Sequence, residues 1–224
     1  LTSLDVSGNP LYTAATNGAV SAGFIKVGTN IKAYEVFDIK DIVTFGDNNF
    51  KQGLIDDDFD VDGDGEISLA EADRVYHIDV SNVNLTSLQG LEKFTNVSSI
   101  AFYNCGLTDI SPIVTQKKVL WVNIAKNNLQ DINAISNLTQ IRGLNISSNN
   151  ISDIGALSGF TNLESLNLSN NSIKDLKPLL NLSKLTSLDV SGNPLYTAAT
   201  NGAVSAGFIK VGTNTKAYEV FDIK

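Results

Sequence analysis

The chain has 224 residues, a formal net charge of −8, one Cys, one His and one Trp. The acidic balance and the lack of a basic run argue against nucleic acid or anionic membrane as the main partner. No apolar stretch is long enough to span a bilayer, and a lone Cys excludes an intramolecular disulfide, so a disulfide-capped array is ruled out.

The first forty residues recur almost unchanged at the end. Residues 1–40 match residues 185–224 except for Ile31 against Thr215. Such near-identity implies recent duplication or one period of a longer tandem array, and the chain is expected to be a fragment that opens in mid-repeat. The copied segment starts with Leu1, Leu4, Val6, Asn9 and Leu11, continues through a Gly/Ala/Thr-rich stretch, and ends in the strand-like run Ala33 to Ile39. Phe37 and Ile39 mimic the pair Ile78 and Val80 further on. Residues 33–39 and 217–223 are therefore expected to be strands edging the main sheet at its two ends.

The next segment, 41–74, reads as a cap. Asn49 to Ile55 should be an entering helix and Ser68 to Arg74 an exit helix. Between them, Asp60-Val-Asp62-Gly-Asp64-Gly65-Glu66-Ile67-Ser68-Leu-Ala-Glu71 fits an EF-hand loop. Asp60, Asp62 and Asp64 would each supply a carboxylate oxygen, Glu66 its backbone carbonyl, Ser68 its hydroxyl directly or through a water, and Glu71 both carboxylate oxygens. Gly65 permits the sharp turn and Ile67 anchors the loop to the core. Four crowded carboxylates, with Asp56, Asp57 and Asp58 nearby, call for a hard divalent cation, and seven oxygens suit Ca2+. With a single such loop, a structural clamp is expected rather than a switch.

A 22-residue period then runs from Val75 to Leu195. Each unit is apolar at positions one, four and six: Val75, Ile78, Val80; Val97, Ile100, Phe102; Val119, Val122, Ile124; Ile141, Leu144, Ile146; Leu163, Leu166, Leu168; Leu185, Leu188, Val190. Position nine is Asn at 127, 149, 171 and 193, but Val83 and Cys105 in the first two units. This is the leucine-rich-repeat frame of an α/β solenoid, with parallel strands on the concave face. Position nine lies where the chain leaves the strand, and an inward Asn there can satisfy backbone groups of adjacent coils. The return half places Leu88, Ile110, Ile132, Ile154 and Leu176 inward, then Leu91, Ile113, Ile135, Leu157 and Leu179. A third set, Phe94, Leu138, Phe160 and Leu182, is interrupted only by Gln116. Spacing by three suits 3₁₀ turns.

Alternate strand residues must face outward on the concave side. Bulk gathers there in the first four coils, at Tyr76, His77, Tyr103, Leu120, Trp121 and Arg142, while later coils show mainly Ser, Thr and Asn. Trp121 is flanked in its row by Ser99 and Gly143, which leave it uncovered. Exposed aromatics beside Arg are typical of binding hot spots, for a protein surface or a glycan stacked on the indole. An enzyme is not expected: one His cannot build an HExxH site, and neither a GxSxG turn nor a Gly-rich phosphate loop appears.

The units resemble those of bacterial internalin-type surface proteins, as in Leu163-Glu-Ser-Leu-Asn-Leu-Ser-Asn-Asn-Ser-Ile173-Lys-Asp-Leu. The cap and array over about residues 48–195 match that layout, and the acidic loop before the repeats is similar to secreted repeat proteins of gut bacteria. The resemblance implies an extracellular or bacterial-surface location and adhesion through the concave face. Residues 196–224, which duplicate 12–40, are too short for an internalin-style immunoglobulin-like domain and are expected to be a C-terminal capping segment. The alternative to recognition is a calcium-rigidified spacer between neighbouring modules of one chain.

Overall fold

The computed structural model describes residues 42–195 in full, together with the backbone of short strands on either side. Six three-residue strands, β3 (His77–Asp79), β4 (Ser99–Ala101), β5 (Trp121–Asn123), β6 (Gly143–Asn145), β7 (Ser165–Asn167) and β8 (Ser187–Asp189), form one parallel sheet in sequence order. The register advances by one repeat at every step, so Ile78, Ile100, Val122, Leu144, Leu166 and Leu188 stand in one row. All six are buried, as are the neighbouring rows of the frame. The return half of the coils forms 3₁₀ turns at Leu91–Lys93, Ser111–Thr115, Asn133–Ile135, Gly155–Gly159 and Lys177–Leu179, as the spacing by three predicts. Stacked coils thus share one continuous core that no single coil could bury.

The inward Asn residues serve the backbone as expected. Asn127 donates through Nδ2 to the Phe102 carbonyl at 2.8 Å and the Ile124 carbonyl at 2.9 Å, while its Oδ1 accepts from Cys105 N and Leu107 N. Asn149, Asn171 and Asn193 make the same donations, and each Oδ1 accepts from one amide, that of Leu129, Ile151 and Ile173 respectively. Cys105 does more than fill its slot: its Sγ lies 3.0 Å from the Val80 carbonyl, 25 residues back, as Asn127 reaches Phe102. Cys105 cannot accept from Leu85 N, and that amide turns to the Cys105 carbonyl instead. Gln116 is likewise buried without penalty, donating through Nε2 to the Leu91 carbonyl at 2.7 Å.

Position eight of every unit has a left-handed backbone: Asn82, Asn104, Lys126, Ser148, Asn170 and Gly192 have φ between 54° and 70°. Asn and Gly tolerate that conformation, but Lys126 and Ser148 occupy it at a steric cost.

The cap begins with helix α1 (Asn48–Asp56) and ends with the single turn α2 (Leu69–Ala72). α2 is shorter than the expected 68–74, because Ser68 is its N-cap and Asp73 its C-cap. Ser68 and Glu71 form a capping box, each side chain accepting from the other's backbone N–H. Phe50 and Leu54 of α1 are fully buried against the first coils, and the Phe50 ring meets Phe102 edge-on at 5.6 Å. Gly53 lies so close that a Cβ there would sit 2.5 Å from Val80 Cγ1. The cap thereby covers the apolar end that an open solenoid would expose.

The edge-strand expectation is not met. β2 (Asn30–Val36) pairs antiparallel with β1 (Ser21–Val27) in a separate hairpin, and the six-stranded sheet gains no further strand among the described residues. Of residues 217–223, Val220–Phe221 pairs with Ala206–Gly207, again locally. The reason is proximity: only Gly28 and Thr29 separate β1 from β2, and a two-residue link containing Gly favours a hairpin over a distant edge. Residues 37–39 and the repeat-like start at Leu1, Leu4, Val6, Asn9 and Leu11 lie outside the described residues.

Candidate functional site

Two places carry chemistry: the acidic loop of the cap and the concave face of the sheet. In the loop, Asp60 Oδ1 accepts from Gly63 N at 2.8 Å and Asp64 N at 3.1 Å, and its Oδ2 accepts from Gly65 N at 2.8 Å. Gly63 and Gly65 have φ of 72° and 83°, which a side chain would resist. Glu71 closes the loop. Its Oε1 accepts from Val61 N at 2.8 Å, and its Oε2 accepts from Ser68 N and the Ser68 hydroxyl at 2.8 and 2.9 Å.

These contacts bring Asp60, Asp62 and Glu71 together, with a carboxylate oxygen of each within 4.8 Å of the others. Asp64 is not in that group; its Oδ1 accepts from Glu66 N. The Glu66 side chain turns away to Lys51, 2.6 Å distant, leaving its carbonyl as its contribution to the loop. Burial, followed by the charges of Glu71 and Asp60, raises the Asp62 carboxyl above its ordinary range. Asp64 is raised by burial and then by Asp62, Asp60 and Glu71. Anions held this close without a cation repel one another, and the donor set is all oxygen. The residues therefore fit a hard divalent ion. Ile67 is fully buried, and its carbonyl accepts from Val43 N at 2.8 Å. The preceding segment thus pairs with the loop through the bridge between Ile42 and Ser68.

On the concave face, the register sets Ser99, Trp121, Gly143 and Ser165 in one row and Ala101, Asn123, Asn145 and Asn167 in another. Trp121 is 48% exposed, and the Cε3–Cζ3 edge of its ring rests against Gly143: a Cβ there would sit 2.0 Å from Trp121 Cε3. Beside the indole opens a shallow concavity of about 350 Å³ lined only by uncharged residues. Of the six expected contact residues, only Trp121 borders it. Tyr76 and His77 are exposed on the first coil, two strands from Trp121, or about 10 Å at the usual strand spacing. Tyr103 and Leu120 are half-buried, and Arg142 is turned toward Glu164, 3.7 Å away.

The repeat profiles for leucine-rich repeats match residues 139–158 and 161–201. By structure, the chain is similar to an internalin (inlF) of Listeria monocytogenes, with 30% identity and a TM-score of 0.64 over 68% of this chain and 45% of that one. The chain is an internalin-like leucine-rich-repeat protein. Internalin C2 (inlC2) of the same organism shares the fold at 23% identity, with a TM-score of 0.63 over 69% of this chain and 68% of that one. No curated protein sequence matches the chain. The chain thus spans less than half the length of the first of these internalins.

The contact residues expected from the sequence left out Lys126 and the outward Asn residues of the fifth position. Lys126 places its ammonium 5.1 Å from the centre of the Tyr103 ring. The fifth-position Asn residues are committed on one side only. Asn145 Oδ1 accepts from Ser147 N and Oγ at 3.1 and 2.8 Å, Asn167 Oδ1 from Ser169 N and Oγ at 2.9 and 2.7 Å, and Asn123 Oδ1 from Ala125 N at 3.3 Å. The Asn-x-Ser pattern in consecutive units was the available signal for this row.

Proposed function

We propose that this is a non-enzymatic recognition module, extracellular or on a bacterial surface, whose concave face binds a protein or glycan outside the module. The observation that carries the reading is Trp121, half-exposed across an uncharged concavity on a rigid parallel sheet. The fold supports it, since stacked coils hold their outward side chains in fixed rows and need little reordering on binding. Among the described residues no helix is long and apolar enough to cross a membrane. The test is display of the module to candidate cells or ligands with Trp121→Ala and Tyr103→Ala variants. Loss of binding by folded variants supports the reading; full retention refutes it.

We further propose that one calcium ion locks the cap. Asp60, Asp62, Asp64 and Glu71 would bind through carboxylates and Glu66 through its carbonyl. Because the Ser68 hydroxyl donates to Glu71 and accepts from Glu71 N, its own role would run through a water. Calorimetric titration of chelated protein should show saturable binding. An ion at a hundredfold excess over its Kd should add about 2.7 kcal/mol of stability. No heat, with an unchanged Tm in excess chelator, would remove the clamp.

The near-identity of residues 1–40 and 185–224 favours a second reading, a spacer built from tandem modules. Under it, the Trp121 and Tyr103 substitutions leave every interaction of the parent intact.

A further inference from the structure

We infer that the concavity beside Trp121 is a subsite for a neutral oligosaccharide. This rests on the recognition reading above and names its ligand class. Three features converge. The half-exposed indole borders the concavity, with one ring edge seated on Gly143, and an exposed aromatic ring offers an apolar surface on which the apolar face of a sugar ring can stack. The lining contains no ionisable side chain, so nothing there would neutralise a charged ligand.

The third feature is a rank of donors. Asn123, Asn145 and Asn167 spend their carbonyl oxygens on the turn that follows each strand, and their Nδ2 groups have no partner among the described residues. The strand register repeats these amides one coil apart, about 4.8 Å. Each Nδ2 carries two hydrogens. A row of neutral donors next to an indole matches the hydroxyl and ring oxygens of a polyol.

A protein partner fits less well. Interface cores are built from clustered aromatic and apolar anchors. The exposed large hydrophobic side chains among the described residues are Val61, Leu69, Tyr76, Trp121 and Leu180. Only Tyr76 and Trp121 lie in the concave rows, and they stand two strands apart.

Trp121 is the chain's only Trp, so its emission reports on this subsite alone. The probes are neutral hexasaccharides of β-1,4-glucose, β-1,4-N-acetylglucosamine, β-1,4-xylose and α-1,4-glucose, with a sulfated hexasaccharide as the charged control. At least one neutral probe should shift Trp121 emission saturably, with little change as salt rises, because no ion pair is screened. Asn145→Asp removes the donors yet keeps the turn. The first and last strands carry Asp79 and Asp189 at this position, accepting from Ser81 and Ser191 in the same way. That variant should fold normally and bind about threefold to tenfold more weakly. Gly143→Ala, which drives the ring from its seat, should weaken binding about tenfold.

Silence from all four neutral probes overturns the inference, as does binding confined to the sulfated probe or unaltered binding by Asn145→Asp. A protein ligand lost on Trp121→Ala, with every sugar silent, overturns the sugar subsite and leaves the recognition reading standing. Indifference of every ligand to Trp121→Ala overturns both.

Discussion

Replacing Asp47 by Ala should loosen the cap from the solenoid, because one carboxylate serves both. Asp47 Oδ1 caps α1, accepting from Asn49 N at 2.7 Å and Phe50 N at 3.3 Å. Its Oδ2 reaches 39 residues along the chain and accepts from Thr86 N and the Thr86 hydroxyl, both at 2.6 Å. Losing an N-cap costs about 1 kcal/mol. Hydrogen bonds to a charged group are worth about 1.5–3 kcal/mol each, but Thr86 is exposed and water can replace part of what it loses. A total of about 2–4 kcal/mol follows, measured as a shift in the urea midpoint.

The magnitude also has a pH signature. Burial alone would raise the Asp47 carboxyl, but hydrogen bonds from the Thr86 hydroxyl, Thr86 N, Asn49 N and Phe50 N outweigh it and hold the carboxyl below the ordinary aspartate range. With its folded value depressed, its contribution is present in full above the unfolded value, about 3.9. It is lost as pH falls through the folded value. The gap between wild type and Asp47→Ala should therefore be constant at neutral pH and narrow below about pH 4. In a double-mutant cycle with Thr86→Val, the pair should couple by about 0.5–3 kcal/mol. A loss under about 0.5 kcal/mol for Asp47→Ala, or strict additivity with Thr86→Val, refutes the argument that this contact ties cap to coil.

Three further substitutions probe the frame. Gly53→Ala should destabilise by about 1–3 kcal/mol in denaturant titration, because its methyl would strike Val80, and this outweighs the gain of about 1 kcal/mol that Ala brings to a helix. Asn149→Ala should lower stability by about 1–3 kcal/mol, leaving Leu129 N unpaired in the core while the Ile124 and Ile146 carbonyls keep the Asn127 and Asn171 amides; hydrogen exchange at Leu129 should accelerate with it. Ser148→Gly should raise Tm slightly, by relieving the left-handed backbone at φ 54°, with an expected gain of about 0.5–1 kcal/mol.

The repeat was legible because each apolar position performs the same task in every coil, so the sequence states that task six times. The buried Asn row and the 3₁₀ turns follow from the same redundancy. What happens once is not legible in this way. Asp47 looks like an ordinary helix cap in sequence, and nothing near it names Thr86. Gly53 looks like a weak helix residue until Val80 is seen against it. The hairpin of residues 21–36 was misread because the likeness of Phe37 and Ile39 to a repeat strand drew attention away from the short Gly28-Thr29 link. On the concave face, bulk was visible but direction was not. Arg142 seemed to join Trp121, yet it turns to Glu164, while the modest Asn residues at position five border the concavity.

The two candidate sites bear on each other through stiffness. The concave rows keep their spacing only while the coils stay stacked, and the stack is weakest at its ends, where one neighbour is missing. At the first coil that missing neighbour is supplied by Phe50 and Leu54, Asp47 ties α1 to Thr86, and α2 runs through Arg74 into Val75 and β3. The acidic loop joins these two helices, so whatever closes Asp60, Asp62 and Glu71 around one point also fixes the angle at which the cap meets the sheet. Trp121 lies two coils further on, with its ring supported by the next coil's Gly143. Fraying from the capped end would have to pass only β3 and β4 before it reached the strand that carries Trp121. On the proposed function, a rigid cap would therefore keep the concave face ordered in advance and lower the conformational cost of binding there.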